Sequence, residues 1–580
     1  MKRAIFYSIF ILSMLLSQGA VASEFSICQK YKLENEKIIR FTTTEKKLIC
    51  GSEDLDGWEE IPEDQSEFFI KSFLQDRGYY FPQFSRGDDL TIVNAGDQTH
   101  IKRFKTTGDK FRFIKSRKFR GMIRAILTPS KLTEIEGRVA DLLQEKGYAC
   151  PKVNATADAR TGVVTVNIAA GKLEKIKSVV EKKAPKELKL GVLRRYDAFK
   201  IGKRYNKNLL SLTSRRAQDD GIVTSTYFLT DCECDGVVLE QNTIAGKPRL
   251  FIVGFGASTE EYGIGKLSWK HSRMGKLGSS IRFLLYGSYR LQRFLTKGNI
   301  YFLSDPSRWH IAPELEVKRE NERQYEMLTG RIYVPPAVTH DWQKVGLQFS
   351  FGPEFNYTHT FRGDNKGSTH FIAGAARIRV MSHDFEFFKD EPKSGFRLDA
   401  FTNFTHKATF SSFTAQRFKI GGVWVTDLAG FRPPMFLFGI RGGASTTLVN
   451  SYSNSYNKLP PDYLSYLGGS HDVRGFARES LPKSPDKSLT SAYIGAELRL
   501  AKVLPMNIQP IIFADAGVLG EYSFNFDYPL YWSPGFGIRW PSPFGVFRAT
   551  AARGYVVNNN KPNNQGVGGW TFFFSFGEEF

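Results

Sequence analysis

A short stretch late in the chain, GGSHDVRGF at 468–476, contains an arginine whose neighbours suggest a specific role. Arg474 lies between Val473 and the pair Gly475 and Phe476. A guanidinium is always charged and can form two parallel hydrogen bonds with a carboxylate. Arg474 could therefore form a directional ion pair. Val473 and Phe476 are unusual in a surface loop, and a lone arginine is unusual in a core. The alternative is an ordinary Arg-Gly turn on the surface.

Other patterns that can carry chemistry fail on inspection. The stretch GIGKLS at 263–268 lacks the glycine that a phosphate loop has five residues before Gly265, and it falls in a strand-turn region. His471 and Asp472 have no matching serine nucleophile. Cys232 and Cys234 are too close for the usual zinc spacings and have no histidine nearby. The sequence therefore predicts no enzyme, no cofactor and no metal site.

The amino terminus predicts export. Lys2 and Arg3 precede an apolar run from Ala4 to Leu16, and small residues follow at 20–22, which is the pattern of a secretory signal peptide over residues 1–22. The run is too short for a membrane helix, which needs roughly 20 apolar residues. The chain has a net charge of +21. Because export argues against nucleic acid as a partner, we interpret this charge as attraction to anionic surfaces at most.

Five cysteines in an oxidising compartment allow two disulfides and leave one thiol. Cys28 and Cys50 are a plausible pair. The pairing of Cys150, Cys232 and Cys234 stays open at this point.

Composition indicates a membrane barrel. Hydrophobic residues make up only 41% of the chain, yet 14% of residues are aromatic and 52 are glycine. A transmembrane β-barrel combines these properties, because its strands alternate lipid-facing and lumen-facing residues and carry aromatic girdles. A secreted soluble β-sandwich, or a second all-β domain, is the alternative.

The front half of the chain repeats itself. LQDRGY at 74–79 and LQEKGY at 143–148 each end an amphipathic helix, and Gly78 and Gly147 fit a left-handed helix stop. A weaker third copy ends at Gly221, and strands follow each copy. We predict three α+β modules, at 23–98, 99–172 and 173–248. Each module ends in a hairpin whose free edge could receive a client strand. The alternative is that the module was duplicated for stability alone.

The back half alternates with a period of two. Apolar and polar residues alternate along the segments 345–351, 492–500 and 512–518. At roughly 20 residues for a strand and its connection, residues 249–580 suffice for about 16 antiparallel strands. In the last segment Phe572, Phe574 and Phe576 share one face and the chain stops at Phe580. An ordinary edge strand is the alternative to a barrel strand here, but its apolar edge would invite aggregation.

These motifs resemble a known family. The modules are similar to polypeptide-transport-associated (POTRA) modules, and VRGF at 473–476 resembles the signature of the outer-membrane protein assembly superfamily, of BamA and TamA type. The resemblance implies that the loop folds into the barrel lumen, where Arg474 reaches a carboxylate on the wall. FADAG at 513–517 resembles the family's wall segment, so Asp515 is the first candidate partner and Glu497, with the same parity, is the second.

The same resemblance assigns the ends of the barrel. Residues 570–580 resemble the targeting strand that the assembly machinery recognises, and Gly577 matches a glycine at the seam where first and last strands meet. Three modules are most similar to the TamA type.

Two functions are compatible with these features. The first is an assembly or translocation factor in the outer membrane of a Gram-negative bacterium, with its modules in the periplasm. Its expected partners are unfolded outer-membrane or autotransporter clients, outer-membrane lipid, and an inner-membrane or lipoprotein partner. The second is a two-partner secretion transporter that passes one dedicated exoprotein. That class usually has two modules and an amino-terminal plug helix, and residues 24–50 show no convincing amphipathic helix. A passive porin would not need the periplasmic repeats.

Overall fold

The computed structural model describes most of the chain after residue 26. The described ranges are 27–34, 39–52, 60–182, 186–189, 191–233, 236–303, 309–342, 345–363, 365–382, 385, 394–449, 458–483, 486–542, 545–557 and 568–577. The predicted signal peptide at 1–22, Cys234 and Phe580 lie outside these ranges.

Two compact units make up the chain. The first comprises residues 1–143 and 151–171, and the second comprises residues 144–150 and 172–580. The first unit holds two small modules, and the second holds a third module and the barrel.

The first module is a three-stranded sheet covered by two helices. Its elements are β1 (Tyr31–Leu33), α1 (Thr43–Cys50), α2 (Glu63–Gln75), β2 (Gln83–Arg86) and β3 (Thr91–Asn94), with strand order β1-β3-β2. Ile49, Ile70, Leu74 and Val93 are fully buried between the helices and the sheet. Residues 24–50, in which the sequence shows no convincing amphipathic helix, contain the eight-residue helix α1. A capping box between Thr42 and Glu45 starts α1, and this helix forms part of the module's core.

The second and third modules repeat this sheet order. The second has β4 (Arg103–Gly108), α3 (Pro129–Gln144), β5 (Lys152–Asp158) and β6 (Val163–Ala169), ordered β4-β6-β5. The third has β7 (Ile176–Lys182), α4 (Lys207–Asp219), β8 (Ser225–Glu233) and β9 (Gly236–Ile244), ordered β7-β9-β8. In each module the first strand pairs in parallel with the last. The predicted fold class of three α+β modules is therefore confirmed.

The predicted helix stops have the backbone that they require. Gly78 and Gly147 follow α2 and α3 with φ of +87° and +100°, and Gly221 follows α4 with φ of +65°. This left-handed conformation favours glycine, because a Cβ would collide with the backbone.

Two disulfides join parts of the modules. Cys28 is bonded to Cys50 in the first unit, and Cys150 is bonded to Cys232 in the second. The second bond fixes the segment 144–150 to β8 across 82 residues of chain.

The barrel is a closed antiparallel sheet of 18 strand segments. They are β10 (Arg249–Ser258), β11 (Tyr262–Met274), β12 (Ser279–Gly287), β13 (Leu291–Tyr301), β14 (Trp309–Ile311), β15 (Glu314–Asn321), β16 (Glu326–Tyr333), β17 (Pro336–Asp341), β18 (Val345–Arg362), β19 (Gly367–Ser382), β20 (Gly395–Thr405), β21 (Ala415–Leu428), β22 (Phe436–Val449), β23 (Thr490–Leu500), β24 (Gln509–Gly520), β25 (Leu530–Ser542), β26 (Gly545–Val557) and β27 (Gly569–Gly577).

Two breaks reconcile these segments with the predicted 16 strands. Segments β14 and β15 both pair with β13, and β16 and β17 both pair with β18, so each couple is one strand. Pro313 and Pro335 lie in the breaks, where the chain has no N–H to give to the ladder. The prediction of about 16 antiparallel strands is confirmed.

None of the helices in the described part of the chain is long and apolar enough to cross a membrane. The ranges 23–98, 99–172, 173–248 and 249–580 each contain one sheet, and they remain our proposal for the limits of the domains.

Candidate functional site: an inward loop and the barrel seam

The connection between β22 and β23 folds into the barrel. We call its described part, residues 458–483 and 486–489, the inner loop. Its Arg474 is 1% exposed and binds Asp515 of β24, which is fully buried. Nε of Arg474 donates to Oδ2 of Asp515 at 2.7 Å and Nη2 donates to Oδ1 at 2.9 Å, so the pair is bidentate. The backbone N–H of Arg474 donates to the same carboxylate at 3.2 Å.

Glu497 of β23 takes the remaining end of the guanidinium. Nη1 of Arg474 donates to Oε2 of Glu497 at 2.7 Å. The guanidinium carbon also lies 3.3 Å from the ring centroid of Phe513, which stacks beneath it as a cation–π partner. One side chain of the loop thus contacts three residues of two neighbouring wall strands.

Further arginines balance the two carboxylates. Arg441 of β22 approaches Asp515 at 3.3 Å and also donates to the carbonyl oxygen of Ser470 in the inner loop. Arg499 donates to Glu497 at 2.6 Å, and Arg548 of β26 approaches it at 3.4 Å. Because a buried carboxylate is stable only when it is paired, these neighbours supply the pairing that both wall residues require.

Glycines let the loop approach the wall closely. A Cβ added to Gly475 would lie 2.5 Å from Cβ of Ser533 in β25 and 2.6 Å from Cα of Gly554 in β26. Real Cβ atoms do not approach other atoms so closely. Gly475 and Gly554 therefore form a backbone-to-backbone contact that no side chain fits.

Apolar residues fix the loop on either side of Arg474. Val473 and Phe476 are 0% and 2% exposed and pack with Leu519 and Tyr531 of the wall. The rings of Phe476 and Tyr531 meet edge to face at 5.5 Å. This accounts for the two apolar residues that a surface turn would not need.

The opposite side of the inner loop contacts the first hairpin of the barrel. Ser470 donates through its backbone N–H and its hydroxyl to the carboxylate of Glu260, at 3.1 and 2.5 Å. Arg478 binds Glu261 at 2.9 Å and Glu322, between β15 and β16, at 2.8 Å. Glu260 and Glu261 form the turn between β10 and β11. The loop therefore holds wall strands on one side and the β10–β11 turn on the other.

A cavity of about 1170 Å³ lies inside the barrel beneath the inner loop. Loop residues 461, 462 and 464–467 line part of its wall, and Arg195 and Tyr196 of the third module line another part. Acidic and basic side chains line it in equal numbers. The cavity is therefore polar and close to neutral overall.

The third module contacts the rim of the barrel. Arg195 is 3% exposed, and its guanidinium carbon lies 3.4 Å from the ring centroid of Tyr301 at the end of β13. Its Nη1 donates to the carbonyl oxygen of Leu277 in the β11–β12 turn at 3.0 Å. These bonds fix the module to the end of the barrel opposite the β10–β11 turn.

The barrel closes through a short seam. Strands β10 and β27 pair at only two positions, Ala257 with Phe576 and Ser258 with Ser575. By contrast, β10 pairs with β11 at ten positions and β27 with β26 at nine. Just beyond the two pairs, the backbone N–H of Thr259 donates to the carbonyl oxygen of Phe574 at 3.0 Å. Within the described residues, the edges at 249–256 and 569–573 have no ladder partner across the seam.

Glycine and phenylalanine occupy the end of the seam. Gly577 has a φ of +112°, and a Cβ there would come within 3.2 Å of Gly256 in β10. Phe572 and Phe574 are 68% and 42% exposed on the outer face, and Phe576 stacks on Phe547 at 4.4 Å. These positions belong to one strand, while Cys28 and Cys50 lie in the first unit and Phe580 is outside the described residues.

Several contacts of the site have no local signal in the sequence. Glu260, Glu261 and Arg478 are ordinary charged residues until the fold brings the first hairpin to the loop. Arg441 is one residue before a Gly-Gly pair in β22, and only strand parity could have placed it toward the lumen. No group of three or more metal-binding side chains occurs in the described part of the chain.

The fold and the site define a class: this is an outer-membrane β-barrel protein with POTRA-type modules in the periplasm. Residues 383–580 match the Omp85 superfamily domain. That range includes the inner loop, both wall carboxylates and the last strand. No curated protein matches the chain in sequence.

Solved structures share the architecture at low sequence identity. BamA from Haemophilus ducreyi lacking POTRA domains 1–3 has a TM-score of 0.50 and 13% identity, over 83% of this chain and 100% of that one. CdiB from Acinetobacter baumannii has a TM-score of 0.48 and 11% identity, over 83% and 89% of the two chains. CdiB from Escherichia coli has a TM-score of 0.47 and 12% identity, over 89% and 97%. The likeness to BamA covers more of the chain than the barrel, so it extends into the modules.

Proposed function

We propose that this protein is an assembly factor that helps to insert β-barrel or autotransporter clients into the outer membrane. The observation that carries the proposal is the seam between β10 and β27, which pairs at two positions where the neighbouring ladders pair at nine or ten. A barrel that served only as a pore would gain stability from a complete ladder.

The edges of β10 and β27 that lack a partner within the described residues give a client strand a template. Backbone groups in lipid must be hydrogen-bonded, because each unsatisfied group costs several kcal/mol there. A client strand that adds to the edge at 249–256 or 569–573 satisfies its own backbone and that of the seam together. No nucleotide is needed, since the client's own burial of apolar surface and closure of its hydrogen bonds drive insertion.

The modules would receive the client before it reaches the seam. Within the described residues, β2, β5 and β8 each pair on one side only, which leaves a strand edge in every module. An extended client segment can add to such an edge through main-chain hydrogen bonds, with little dependence on its sequence. The exposed Tyr227 and Leu229 on β8 offer apolar contacts beside that edge.

The inner loop would hold the first hairpin in register with the wall while a client binds. Arg474 fixes the loop to Asp515 and Glu497, and Ser470 and Arg478 fix it to the β10–β11 turn. We infer that this bridge controls how readily β10 separates from β27.

The test uses the purified full chain in liposomes, with Arg474→Ala as the variant. The folding rate of an unfolded barrel client and the ionic conductance of the same membranes are measured together. We expect the wild-type protein to accelerate client folding and the variant to accelerate it less. Arg319→Ala is the matched control, because Arg319 is exposed and, among the described residues, forms an ion pair only with Glu326 of the neighbouring strand.

Open-pore conductance with no effect on client folding would overturn the proposal. That outcome would favour the second candidate, a two-partner secretion transporter that passes one dedicated exoprotein.

A further inference from the structure

The positive charge of the chain is concentrated in one segment of the second module. Residues 102–124, which we call the basic strip, contain ten Lys or Arg residues and a single acidic residue, Asp109. The strip thus has a net charge of +9, out of +21 for the whole chain.

The basic strip is presented to solvent. It comprises the edge strand β4, a loop and a 3-10 turn at 116–119. Eight of its ten basic side chains are exposed. Arg112, Lys115 and Arg117 form no ion pair within the described residues.

The acidic residue of the strip does not neutralise it. One carboxylate oxygen of Asp109 accepts a hydrogen bond from the backbone N–H of Ala170 at 2.9 Å. Asp109 therefore closes the end of the module's sheet, and its neighbours Lys110 and Arg112 remain exposed.

Aromatic residues alternate with the charges. Phe104 and Phe119 pack together at 5.3 Å and anchor the strip, with Phe119 buried. Phe111 and Phe113 are half-buried, with ring centroids 5.1 Å apart, between the exposed Lys110, Arg112 and Lys115. Aromatic rings among basic side chains suit the boundary between water and lipid, where the rings enter the headgroup region and the charges meet anionic lipids.

We propose that the basic strip binds the anionic phospholipid surface of the periplasmic leaflet of the outer membrane. The barrel inserts the same chain into that membrane, and this tether raises the effective concentration of the leaflet at the strip. Charges spread over a strand, a loop and a turn fit a diffuse surface potential better than one acidic peptide. A bound strip would hold the second module beside the membrane that clients enter.

Amide hydrogen exchange of peptides within 102–124 tests the proposal. The full chain is reconstituted in neutral phosphatidylcholine bilayers and in bilayers with about one third phosphatidylglycerol, a composition whose negative surface attracts basic segments. We expect exchange in the strip to slow by about tenfold in the anionic bilayer at low salt. The effect should vanish near 1 M salt, where the Debye length falls to about 3 Å.

Matched variants distinguish an effect of the basic strip from an effect of the total charge of the protein. The triple variant Arg112→Gln, Lys115→Gln and Arg117→Gln should lose the protection, since three basic residues correspond to about 100-fold in affinity for an anionic surface. The control Lys152→Gln, Lys172→Gln and Lys203→Gln removes the same charge from exposed positions outside the strip and should retain it. Unchanged exchange in α3 shows that the module of each variant is folded.

Three outcomes would overturn the proposal. The first is equal exchange in neutral and anionic bilayers. The second is equal loss of protection in both triple variants. The third is that the strip is protected from exchange only by a partner other than the bilayer that holds the barrel. Such a partner would be an acidic peptide, or anionic vesicles added to protein in a neutral bilayer.

Discussion

At the scale of single residues, Arg474 is the most densely bonded side chain of the loop. It satisfies two carboxylates and covers an aromatic ring while almost fully buried. Breaking a buried ion pair by removing one partner costs about 3–5 kcal/mol. Arg441 remains on Asp515, and Arg499 and Arg548 remain on Glu497. The cost here should therefore lie at or below the lower end of that range.

We expect Arg474→Ala to lower the free energy of unfolding by about 2–3 kcal/mol, below the full cost of an unpaired buried charge. Arg474→Lys should recover only part of the loss, because an ammonium cannot hold Asp515 with two parallel bonds and reach Glu497 as well. Heat-dependent mobility on unboiled gels measures the unfolding temperature of the barrel. An alanine variant as stable as the wild type would show that the loop contributes nothing to the barrel.

The close contact of Gly475 with the wall leads to a prediction that depends on steric fit and not on charge. Gly475→Ala places a methyl group against Ser533 and the backbone of Gly554, and neither can move without shifting a strand. We expect the loop to leave the wall, at a cost of about 1–3 kcal/mol typical of overpacking. Limited proteolysis within the inner loop measures the release, and Gly554→Ala should reproduce it. Unchanged proteolysis in both variants would contradict the close contact.

At the scale of elements, the seam can be locked. A cysteine pair at Ala257 and Phe576, which face each other in the register, joins β10 to β27 when oxidised. We expect the oxidised variant to lose client folding and to recover it on reduction. A pair at Ala549 and Phe574 joins β26 to β27 by the same chemistry and should have no effect. Wild-type protein with reductant controls for the native disulfides, and equal activity of the locked and unlocked seam would exclude seam opening.

The first module contains an element whose stability depends on pH. Burial alone would raise the pKa of Glu45, but hydrogen bonds from Arg77 and Thr42 outweigh it, so the pKa lies below its ordinary value of 4.5. A carboxyl group with a depressed folded pKa stabilises the fold above its unfolded pKa and loses that contribution as the pH falls through the folded value. We expect protection of α1 against hydrogen exchange, corrected for intrinsic rates, to fall below pH 4.5.

Glu45→Gln is the control for this effect. It removes the titrating group and the charge opposite Arg77, which is bonded at 2.7 Å. The variant should be less protected at neutral pH and should show a flatter pH profile over residues 43–50. Identical profiles for the two proteins would assign the acid sensitivity to another group.

At the scale of the whole molecule, the inner loop has two separate anchors. Arg474 binds the β23–β24 wall, and Arg478 binds Glu261 and Glu322 with no partner in common. If the loop moves as one body, releasing one anchor weakens the other. We expect a double-mutant cycle of Arg474→Ala and Arg478→Ala to show a coupling of at least about 0.5 kcal/mol in unfolding free energy. Additive losses would mean that the two ends of the loop act independently.

Sequence reasoning predicted what depends on local pattern. Period-two alternation, the repeated LQ-x-x-GY and the aromatic end of the chain are properties of single segments, and they led to the modules and the 16 strands. The proline breaks divide two of these strands into two segments each. Helix α1 was missed because its eight residues include only two aliphatic side chains, Leu48 and Ile49. Its stability comes from a capping box and from burial against α2.

Contacts between distant segments could not be predicted in the same way. Ser470 and Glu260 are 210 residues apart, and Cys150 and Cys232 are 82 apart. Nothing near either position specifies its partner, because each pairing joins segments that only the folded chain brings together. Resemblance to a family indicated Asp515 as a candidate partner of Arg474. No motif or resemblance indicated the contacts between the inner loop and the first hairpin.

The placement of the inner loop has a consequence for the permeability of the cell envelope. A barrel of 16 strands leaves a lumen wide enough for water and ions, and here one folded loop occupies it above a polar cavity. The same loop binds the turn next to the seam, so under the proposed function a client that pushes β10 aside would also pull on the inner loop. Each insertion event should then produce a brief increase in the ionic current across the membrane. A bacterium that carries this protein would be most open to small toxic solutes while its outer membrane is growing.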